Sequence, residues 1–338
     1  MEARDLAGIK IPKSSPLVIK MVVLFILMIC GIYVLSVFTN QTTDITESNL
    51  LGVKLFDESC VAPNVEEEEI PYIHFPKPQT FSREECRCNP VRNFAIVSMQ
   101  RSGSGWFETL LNSHTNLSSN GELMGSSERR ANVSALYSTL DKVYNLDWFS
   151  SASKNECTAA VGFKWMLNQG LMKYHEEIAN YCKRYDVHLI FIFRSNLLSR
   201  RISVLANSYD KEAKLLNGTH KSHTHSLEEA EILARFKPTI NTSVLIQSLN
   251  SDKRAIMRAL EYFKSTRHIL LYYEDVVKNR TKLVDVQKFL GLPVQELRSG
   301  QVKIHKGHLS QRVENWENVQ KALKGTSYEA FLDKDLRL

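Results

Sequence analysis

Apolar residues of this chain fall into short unbroken runs, separated by longer segments with helical periodicity. The runs are Phe94–Ser98, Ala160–Lys164, Val187–Phe193 and Ile269–Tyr273. Strands that are covered on both faces of a parallel sheet have this composition, because neither face alternates with polar residues. We therefore expect four buried strands, each followed by polar sequence.

Helical periodicity occupies most of the sequence between these runs. The predicted helices are Asn168–Tyr185, Leu197–Ala206, Thr242–Lys264 and Lys282–Leu290. Alternating strands and helices predict an α/β fold with three layers, in which helices cover both faces of a parallel sheet. Ligands bind such sheets at the carboxyl ends of the strands. Since Arg101, Lys164 and Arg194 each end or follow a strand, they should lie at that edge.

The segment Met99–Gly105 contains two glycines, two serines and Arg101 between the first strand and the next helix. Apolar residues then recur at helical spacing, so a helix is expected to begin near Gly105. Free N–H groups and the positive end of the helix dipole make this arrangement an anion site. It differs from the Walker P-loop because Trp106, and not a lysine, follows the last glycine.

A second candidate anion site follows the strand Val187–Phe193. Arg194 leaves the strand, and Ser203 lies nine residues further along, on the next predicted helix. An arginine and a hydroxyl group can bind one phosphate together. Ser199, five residues after the arginine, is a nearer alternative, and a helix cap with surface arginines is the alternative without a ligand.

The longest apolar run, Leu17–Phe38, is interrupted only by Lys20. A helix over this run would be roughly 33 Å long, enough to span a bilayer. Basic residues before the run and acidic residues after it favour a cytosolic N-terminus. A cleaved signal peptide is the alternative, although the sequence Ser36-Val37-Phe38 is a poor cleavage site. We expect a cytosolic tail (1–16), a transmembrane signal anchor (17–38), a stem (39–89) and a lumenal domain (90–338).

Charge is unevenly distributed along the chain. Residues 1–20, 39–69 and 70–338 carry formal charges of +2, −7 and +11, within a net charge of +6. The acidic, proline-containing stem has a composition that does not form a core. The basic domain suggests an anionic ligand, with a generic basic surface as the alternative.

Glycosylation sequons and cysteines agree with a lumenal domain. The six sequons begin at Asn40, Asn116, Asn132, Asn217, Asn241 and Asn279. The five cysteines after the apolar run are Cys60, Cys86, Cys88, Cys157 and Cys182. The lumen permits disulfides, and an odd number leaves at least one cysteine free or paired between chains.

The two anion sites together resemble those of the sulfotransferases, which use 3′-phosphoadenosine 5′-phosphosulfate (PAPS). The resemblance is nearest to the nodulation-type and glycolipid-type carbohydrate sulfotransferases and covers roughly 94–332. It implies that the first loop binds the 5′-phosphosulfate and that the second element binds the 3′-phosphate. The implied donor-binding residues are Arg101, Ser102, Gly103, Ser104, Gly105, Trp106, Arg194 and Ser203.

The resemblance also implies catalytic residues. A Gly-Glu pair after the first helix, proposed as the general base in nodulation-type members, matches Glu122. Glu108 is the rival carboxylate, but we expect it to face a helix partner or solvent. In Gly162-Phe163-Lys164, Lys164 matches a lysine that reaches the transferred group. Arg101 would be the main cation on the sulfuryl side.

A later segment, Ile304-His305-Lys306-Gly307, resembles the C-terminal loop that closes on the 3′-phosphate in this family. Lys306 is accordingly a further candidate donor ligand, with a solvated loop lysine as the alternative. His305 is the next candidate base if neither carboxylate acts. The segment Tyr272–Asp275 resembles a strand end that has a structural role in Golgi sulfotransferases.

The resemblance implies sulfuryl transfer to a hydroxyl group, of a carbohydrate. The charge asymmetry around the apolar run and the sequons predict a type II membrane protein with its catalytic domain in the Golgi lumen. No metal is expected, because several cations can hold the diphosphate, and nucleic acid is not an expected partner. The oligomeric state stays open.

We expect His220, His223 and His225 to be solvated, with zinc binding as the alternative. A Golgi glycosyltransferase is the enzymatic rival, although its Asp-X-Asp motif is matched only at Asp333-Lys334-Asp335. A non-catalytic, membrane-anchored glycan-binding domain is the rival without enzyme activity.

Overall fold

A five-stranded parallel sheet forms the centre of the domain. The computed structural model describes residues 21, 24–32, 67–148, 157–221, 223–304 and 307–333. The strands are β1 (Arg92–Ser98), β2 (Leu117–Ser119), β3 (Ala160–Met166), β4 (His188–Phe193) and β5 (His268–Tyr272). They lie in the order β2-β3-β1-β4-β5, and every neighbouring pair is parallel, which confirms the predicted sheet. β2 was not predicted, because three residues with two serines give no apolar run.

Ten α-helices connect or flank the strands in the described part of the domain. They are α1 (Ser104–Asn112), α2 (Val133–Tyr144), α3 (His175–Arg184), α4 (Leu197–Ala213), α5 (Leu227–Ala234), α6 (Leu245–Tyr262), α7 (Tyr273–Lys278), α8 (Thr281–Phe289), α9 (Trp316–Leu323) and α10 (Ala330–Asp333).

Helices cover both faces of the sheet, as alternate residues of β1 demonstrate. Ala95 and Val97 point into a core shared with α2, α3, α4, α6 and α9. Phe94 and Ile96 point into a second core, shared with α1, α7 and α8. Successive side chains of a strand point to opposite faces, so an unbroken apolar strand must be covered twice. The three-layer α/β prediction is thereby confirmed.

The predicted helix Asn168–Tyr185 is wrong in its first half. A π-helical turn, Leu167–Leu171, follows β3 directly, and α3 begins only at His175. Gly170 has φ = 85°, a left-handed conformation that interrupts the helical hydrogen-bond pattern. The spacing of apolar residues predicted one continuous helix, because it carries no information on the backbone conformation of Gly170.

The chain divides into two units, Met1–Ser59 and Cys60–Leu338. Residues 21 and 24–32 are helical and exposed, and the remainder of the predicted span 17–38 lies outside the described residues. In the ranges that the structure describes, no helix is both long enough and apolar enough to cross a membrane.

Part of the predicted stem is folded against the domain. Glu69, in the 3₁₀ turn Glu67–Tyr72, forms an ion pair with Arg92 at the start of β1, with 2.8 Å between the nearest atoms. A disulfide joins Cys86 to Cys157, shortly before β3. The folded unit therefore begins before Pro90, where the composition had placed its start. Cys88 is also disulfide-bonded, while Cys182 is free and buried.

Candidate functional site

A cavity of about 490 Å³ opens at the carboxyl ends of the parallel strands. Its walls come from the end of β3 and from the segments that follow β1, β2, β4 and β5. Seven cationic side chains line it: Arg101, Lys164, Arg194, Lys211, Arg280, Lys303 and Arg312. Among the described lining residues, Glu122 is the single acid. Such a concentration of positive charge suits an anion that carries several charges.

The loop between β1 and α1 forms the floor of this cavity. Gly103 is the N-cap of α1 and has φ = 87°, and Arg101 is also left-handed, with φ = 64°. Backbone N–H groups in the first turn of a helix have no partner within the helix, so they can bind an anion. Ser104 and Gly105 line the cavity, whereas Ser102 is fully buried behind it. Of the predicted loop residues, only Ser102 is placed away from the cavity.

Neighbouring rings leave no room for a side chain at Gly103 or Gly105. A Cβ atom on Gly103 would overlap the ring of Tyr273, the first residue of α7. A Cβ atom on Gly105 would overlap the imidazole of His223. Trp106 packs edge-to-face on Tyr273, with 5.5 Å between the ring centroids. Aromatic groups therefore approach the anion loop to a distance that only glycine permits.

Arg101 crosses the cavity to α4. Its Nε atom donates to Oγ of Ser203 at 3.0 Å, and its Nη1 atom donates to Oδ1 of Asn207 at 3.3 Å. Burial and the positive charge of Arg194 lower the pKa of Arg101 to about 10, although Asp210 acts in the opposite direction. The guanidinium group therefore stays protonated at neutral pH.

Arg194 lies at the end of β4 and contacts the first turn of α4. Its Nη1 atom donates to the backbone oxygen of Ser199 at 3.1 Å, and its guanidinium carbon lies 5.0 Å from the ring centroid of Tyr273. Ser199 and Ser203 both line the cavity. Between these two candidates, the hydroxyl of Ser203 is the one bonded to Arg101.

A buried carboxylate fixes the turn that carries Arg194. Glu274 of α7 accepts hydrogen bonds from the backbone N–H groups of Ser195, at 2.8 Å, and Asn196, at 3.4 Å. The side chain of Asn196 then caps α4 by accepting from the N–H group of Ser199. The strand-end segment that contains Glu274 thus has the structural role that its sequence resemblance implied.

The expectation for Glu108 is wrong. It is buried and faces neither solvent nor another helix: its Oε2 atom lies 3.3 Å from Nζ of Lys164. Its other oxygen accepts from Oγ of Ser119 at 2.7 Å and from the N–H group of Gly121 at 3.0 Å. Helical periodicity cannot indicate this role, because all these partners belong to other elements of the fold.

Glu122 is the residue after Gly121, whose backbone N–H group donates to Glu108. Its carboxylate lines the cavity, accepts a hydrogen bond from Nε2 of Gln169, and lies 3.8 Å from Nζ of Lys164. The Glu122 side chain is 38% exposed, compared with 10% for Glu108. Lys164 therefore lies between one enclosed carboxylate and one that is open to the cavity.

The prediction that three histidines are solvated is wrong for His220. His220 forms a 2.6 Å contact through Nδ1 with the buried carboxylate of Asp210. His223 and His225 are both exposed, as expected, and His223 also lines the cavity. Within the described ranges, no group of three or more His, Cys, Asp and Glu side chains is arranged to bind a metal.

Several cationic wall residues were not found from the sequence. Arg280, just before α8, lies 5.9 Å from the ring of Trp106, and Lys211 lies eight residues after Ser203 on α4. Lys211 could have been predicted as a cavity residue from its helical spacing to Ser203 on α4. No local sequence pattern indicates that Arg280 reaches the cavity. Lys303 and Arg312 also line the cavity. The predicted residues His305 and Lys306 lie outside the described residues.

The parallel sheet, the glycine-containing loop and the cationic cavity define an α/β protein with a candidate anion site at the carboxyl ends of its strands. Nodulation protein H of Rhizobium tropici is 24% identical over 249 residues, which are 72% of this chain and 93% of that protein. This similarity confirms the nodulation-type resemblance of the motifs. No family model matches the chain.

Solved structures that align with part of this chain, at low similarity, include two sulfotransferases. The mouse sulfotransferase SULT7A1 complexed with PAP is 15% identical, with 60% of each chain covered and a TM-score of 0.34. The sulfotransferase of Alicyclobacillus acidocaldarius is 14% identical, with 72% of this chain and 97% of that chain covered and a TM-score of 0.35.

Proposed function

We propose that this chain is a sulfotransferase that transfers the sulfuryl group of PAPS to a hydroxyl group of a carbohydrate. The observation that supports this most directly is the cavity itself. Seven cations surround an anion loop at the carboxyl ends of parallel strands, with one carboxylate open to the same space. A diphosphate-like donor supplies the negative charge, and the carboxylate can accept the proton of an acceptor.

In this proposal the two ends of the donor bind to the two anion sites. The N–H groups at Gly103, Ser104 and Gly105 hold the 5′-phosphosulfate, and Trp106 lies beside it. Arg194 and Ser203 hold the 3′-phosphate, with Lys306 as a further ligand. Arg101 belongs to the first anion loop and contacts Ser203 of the second site, so it can interact with both ends of the donor.

The chemical step is an in-line displacement at sulfur. The acceptor oxygen forms a new S–O bond while the bond between sulfur and the phosphate oxygen breaks, and adenosine 3′,5′-bisphosphate (PAP) leaves with the electron pair. The acceptor proton passes to Glu122. Lys164 and Arg101 stabilise the charge on the sulfuryl and bridging oxygens, as fixed cations do in related phosphoryl transfer.

Glu122 suits the role of base better than Glu108 does. Both oxygens of Glu108 already have partners in Ser119, Gly121 and Lys164, and the group is buried. Glu122 is open to the cavity. A general base must lie within reach of the acceptor hydroxyl whose proton it takes, and only Glu122 of the two carboxylates lines the cavity where the acceptor would bind.

We further propose that the protein is a Golgi type II membrane protein with its enzymatic domain in the lumen. The apolar run 17–38 and the charge asymmetry around it support this topology. Four sequon asparagines of the domain are exposed, namely Asn132, Asn217, Asn241 and Asn279. The carbohydrate acceptor and the membrane anchor are the parts of the proposal that rest on the sequence alone.

A transfer assay with the full-length protein tests the proposal. Detergent-solubilised protein would be incubated with PAPS labelled in its sulfuryl group and with neutral glycans, acidic glycans and tyrosine peptides. We expect labelled glycan, and no sugar transfer from nucleotide-sugar donors. Absence of label in every acceptor, together with no retention on immobilised PAP, would contradict the proposal. Label in peptides alone would refute the carbohydrate acceptor and leave sulfuryl transfer intact.

A further inference from the structure

The imidazole of His223 has no part in the mechanism above, although it lines the cavity. Its Nε2–Cε1 edge lies so close to Gly105 that any side chain there would overlap the ring. Gly105 is the second residue of α1, where the N–H groups of the first helical turn lack partners within the helix. The Nε2 edge of His223 therefore approaches the point at which the anion loop would hold its ligand.

Hydrogen bonds fix the loop that carries this histidine. The N–H group of Val302 donates to the backbone oxygen of Thr224 at 2.8 Å, and Oγ1 of Thr224 donates to the backbone oxygen of Val302 at 2.9 Å. The segment that contains Val302 is attached to α1, because the hydroxyl groups of Thr109 and Ser299 lie 2.5 Å apart. His223 is thus held against α1 through its neighbours on both segments.

Three charged or titratable groups act electrostatically on the ring. They are Arg101 from the anion loop, Lys164 from β3 and His225 from its own loop. His223 is exposed as a whole, but its Nε2–Cε1 edge packs against Gly105. Partial loss of water at this edge, followed by the charges of Arg101 and Lys164, lowers the pKa of His223 to about 4. Without a bound anion, the imidazole is therefore neutral at physiological pH.

We propose that His223 is a ligand of the donor, which takes up a proton when the anion enters the loop and donates Nε2–H to its phosphosulfate oxygens. The inference rests on the proposed function, since it assigns one more contact to the same donor. A bound anion offsets the charges of Arg101 and Lys164 and adds a direct acceptor. Both changes favour the imidazolium form, because an opposite charge nearby stabilises the charged state.

Proton uptake makes donor affinity depend on pH in a defined direction. The pKa of His223 is low in the free protein and higher in the complex. Between these two values, affinity falls as the pH rises, and the protein takes up protons on binding. Above the pKa of the complex, the histidine contributes no charge and this dependence ends.

Calorimetric titration of the full-length protein with PAP tests the inference. Titrations at pH 6.5 and pH 8.0, each in two buffers of different ionisation enthalpy, give both the affinity and the number of protons taken up. The phosphate groups of PAP also titrate, so each result is read as the difference between wild type and His223→Gln. His225→Gln is the matched control, because His225 lies on the same loop but does not line the cavity.

We expect His223→Gln to bind PAP about tenfold more weakly at pH 6.5 than wild type, as for the loss of one charge-assisted hydrogen bond. The difference should shrink at pH 8.0, and the proton uptake of wild type should exceed that of the variant. His223→Lys, which carries a fixed charge, should restore affinity at both pH values without the extra uptake. His225→Gln should behave as wild type.

The outcomes separate this inference from the proposed function. Wild-type protein that does not bind PAP contradicts the proposed function. Wild-type protein that binds PAP, with equal affinity and equal proton uptake in His223→Gln, overturns the inference alone. Unchanged PAP binding with lost sulfuryl transfer also overturns it, since His223 would then act on the acceptor. Circular dichroism of each variant confirms that it is folded.

Discussion

The Nε atom of Arg101 donates a hydrogen bond to Oγ of Ser203, 102 residues further along the chain, at 3.0 Å. Arg101 belongs to the anion loop after β1, and Ser203 belongs to α4, which follows β4. Because β1 and β4 are neighbours in the sheet, the segments that follow them meet at one edge. The two predicted anion sites are therefore parts of one cavity and could bind the two ends of a single ligand.

Arg194→Ala should weaken PAP binding by at least about tenfold. A charge-assisted contact to a phosphate contributes roughly 1.5–3 kcal/mol, and about 1.4 kcal/mol corresponds to a factor of ten. Calorimetric titration measures the change, with Arg298→Ala as the control, since Arg298 is 80% exposed and pairs only with Glu296 among the described residues. Equal affinity in a folded Arg194→Ala protein would refute the assignment of the 3′-phosphate site.

Glu122→Gln should bind PAP normally and lose most of its sulfuryl transfer. Glutamine preserves size and hydrogen bonding but cannot accept the acceptor proton, and a positioned base contributes about 10²–10⁴-fold to the rate. Labelled transfer under saturating donor measures the effect, with the exposed Glu231→Gln as the control. A Glu122→Gln protein with a nearly normal rate would mean that another group accepts the proton.

Glu108→Gln should lower stability, in contrast to Glu122→Gln. The buried carboxylate of Glu108 binds Lys164, Ser119 and the backbone of Gly121, so glutamine leaves at least one of these groups poorly paired. We expect the free energy of unfolding to fall by roughly 1–3 kcal/mol. Urea unfolding of both variants measures the difference, and equal midpoints would argue against a structural role for Glu108.

Gly103→Ala should abolish or strongly reduce PAP binding. An alanine there must adopt a left-handed backbone, at φ = 87°, and its Cβ atom would overlap the ring of Tyr273. Either the loop or the ring must move, and both border the anion site. Gly300→Ala is the control, because no heavy atom lies within 4 Å of a Cβ atom at that position. Similar PAP affinities in the two variants would show that the loop geometry is dispensable.

Removal of the disulfide by Cys86→Ser combined with Cys157→Ser should destabilise the domain by about 2–4 kcal/mol. The bond links residues 71 positions apart, so it restricts the unfolded chain considerably. Urea unfolding under non-reducing conditions measures the loss. An unchanged midpoint would mean that the bond contributes nothing to the stability of the folded state.

Endoglycosidase treatment of the protein from a secretory host should increase its electrophoretic mobility. The exposed positions Asn132, Asn217, Asn241 and Asn279 can carry glycans only if the domain enters the lumen. Replacing all four asparagines by glutamine should remove the shift or reduce it to that of the other two sequons. A domain that carries no glycan and is digested by protease outside sealed vesicles would refute the lumenal topology.

The sequence by itself determined the parallel sheet, the anion loop after β1 and the positions of Arg101, Lys164 and Arg194 at strand ends. These features follow from local patterns, because apolar runs mark buried strands and glycines mark a tight turn before a helix. Only the tertiary structure decided which side chains meet. Glu108 lies against Lys164, and His223 lies against Gly105. Such contacts join segments far apart in the chain, so they depend on strand order and loop path, which no local periodicity encodes.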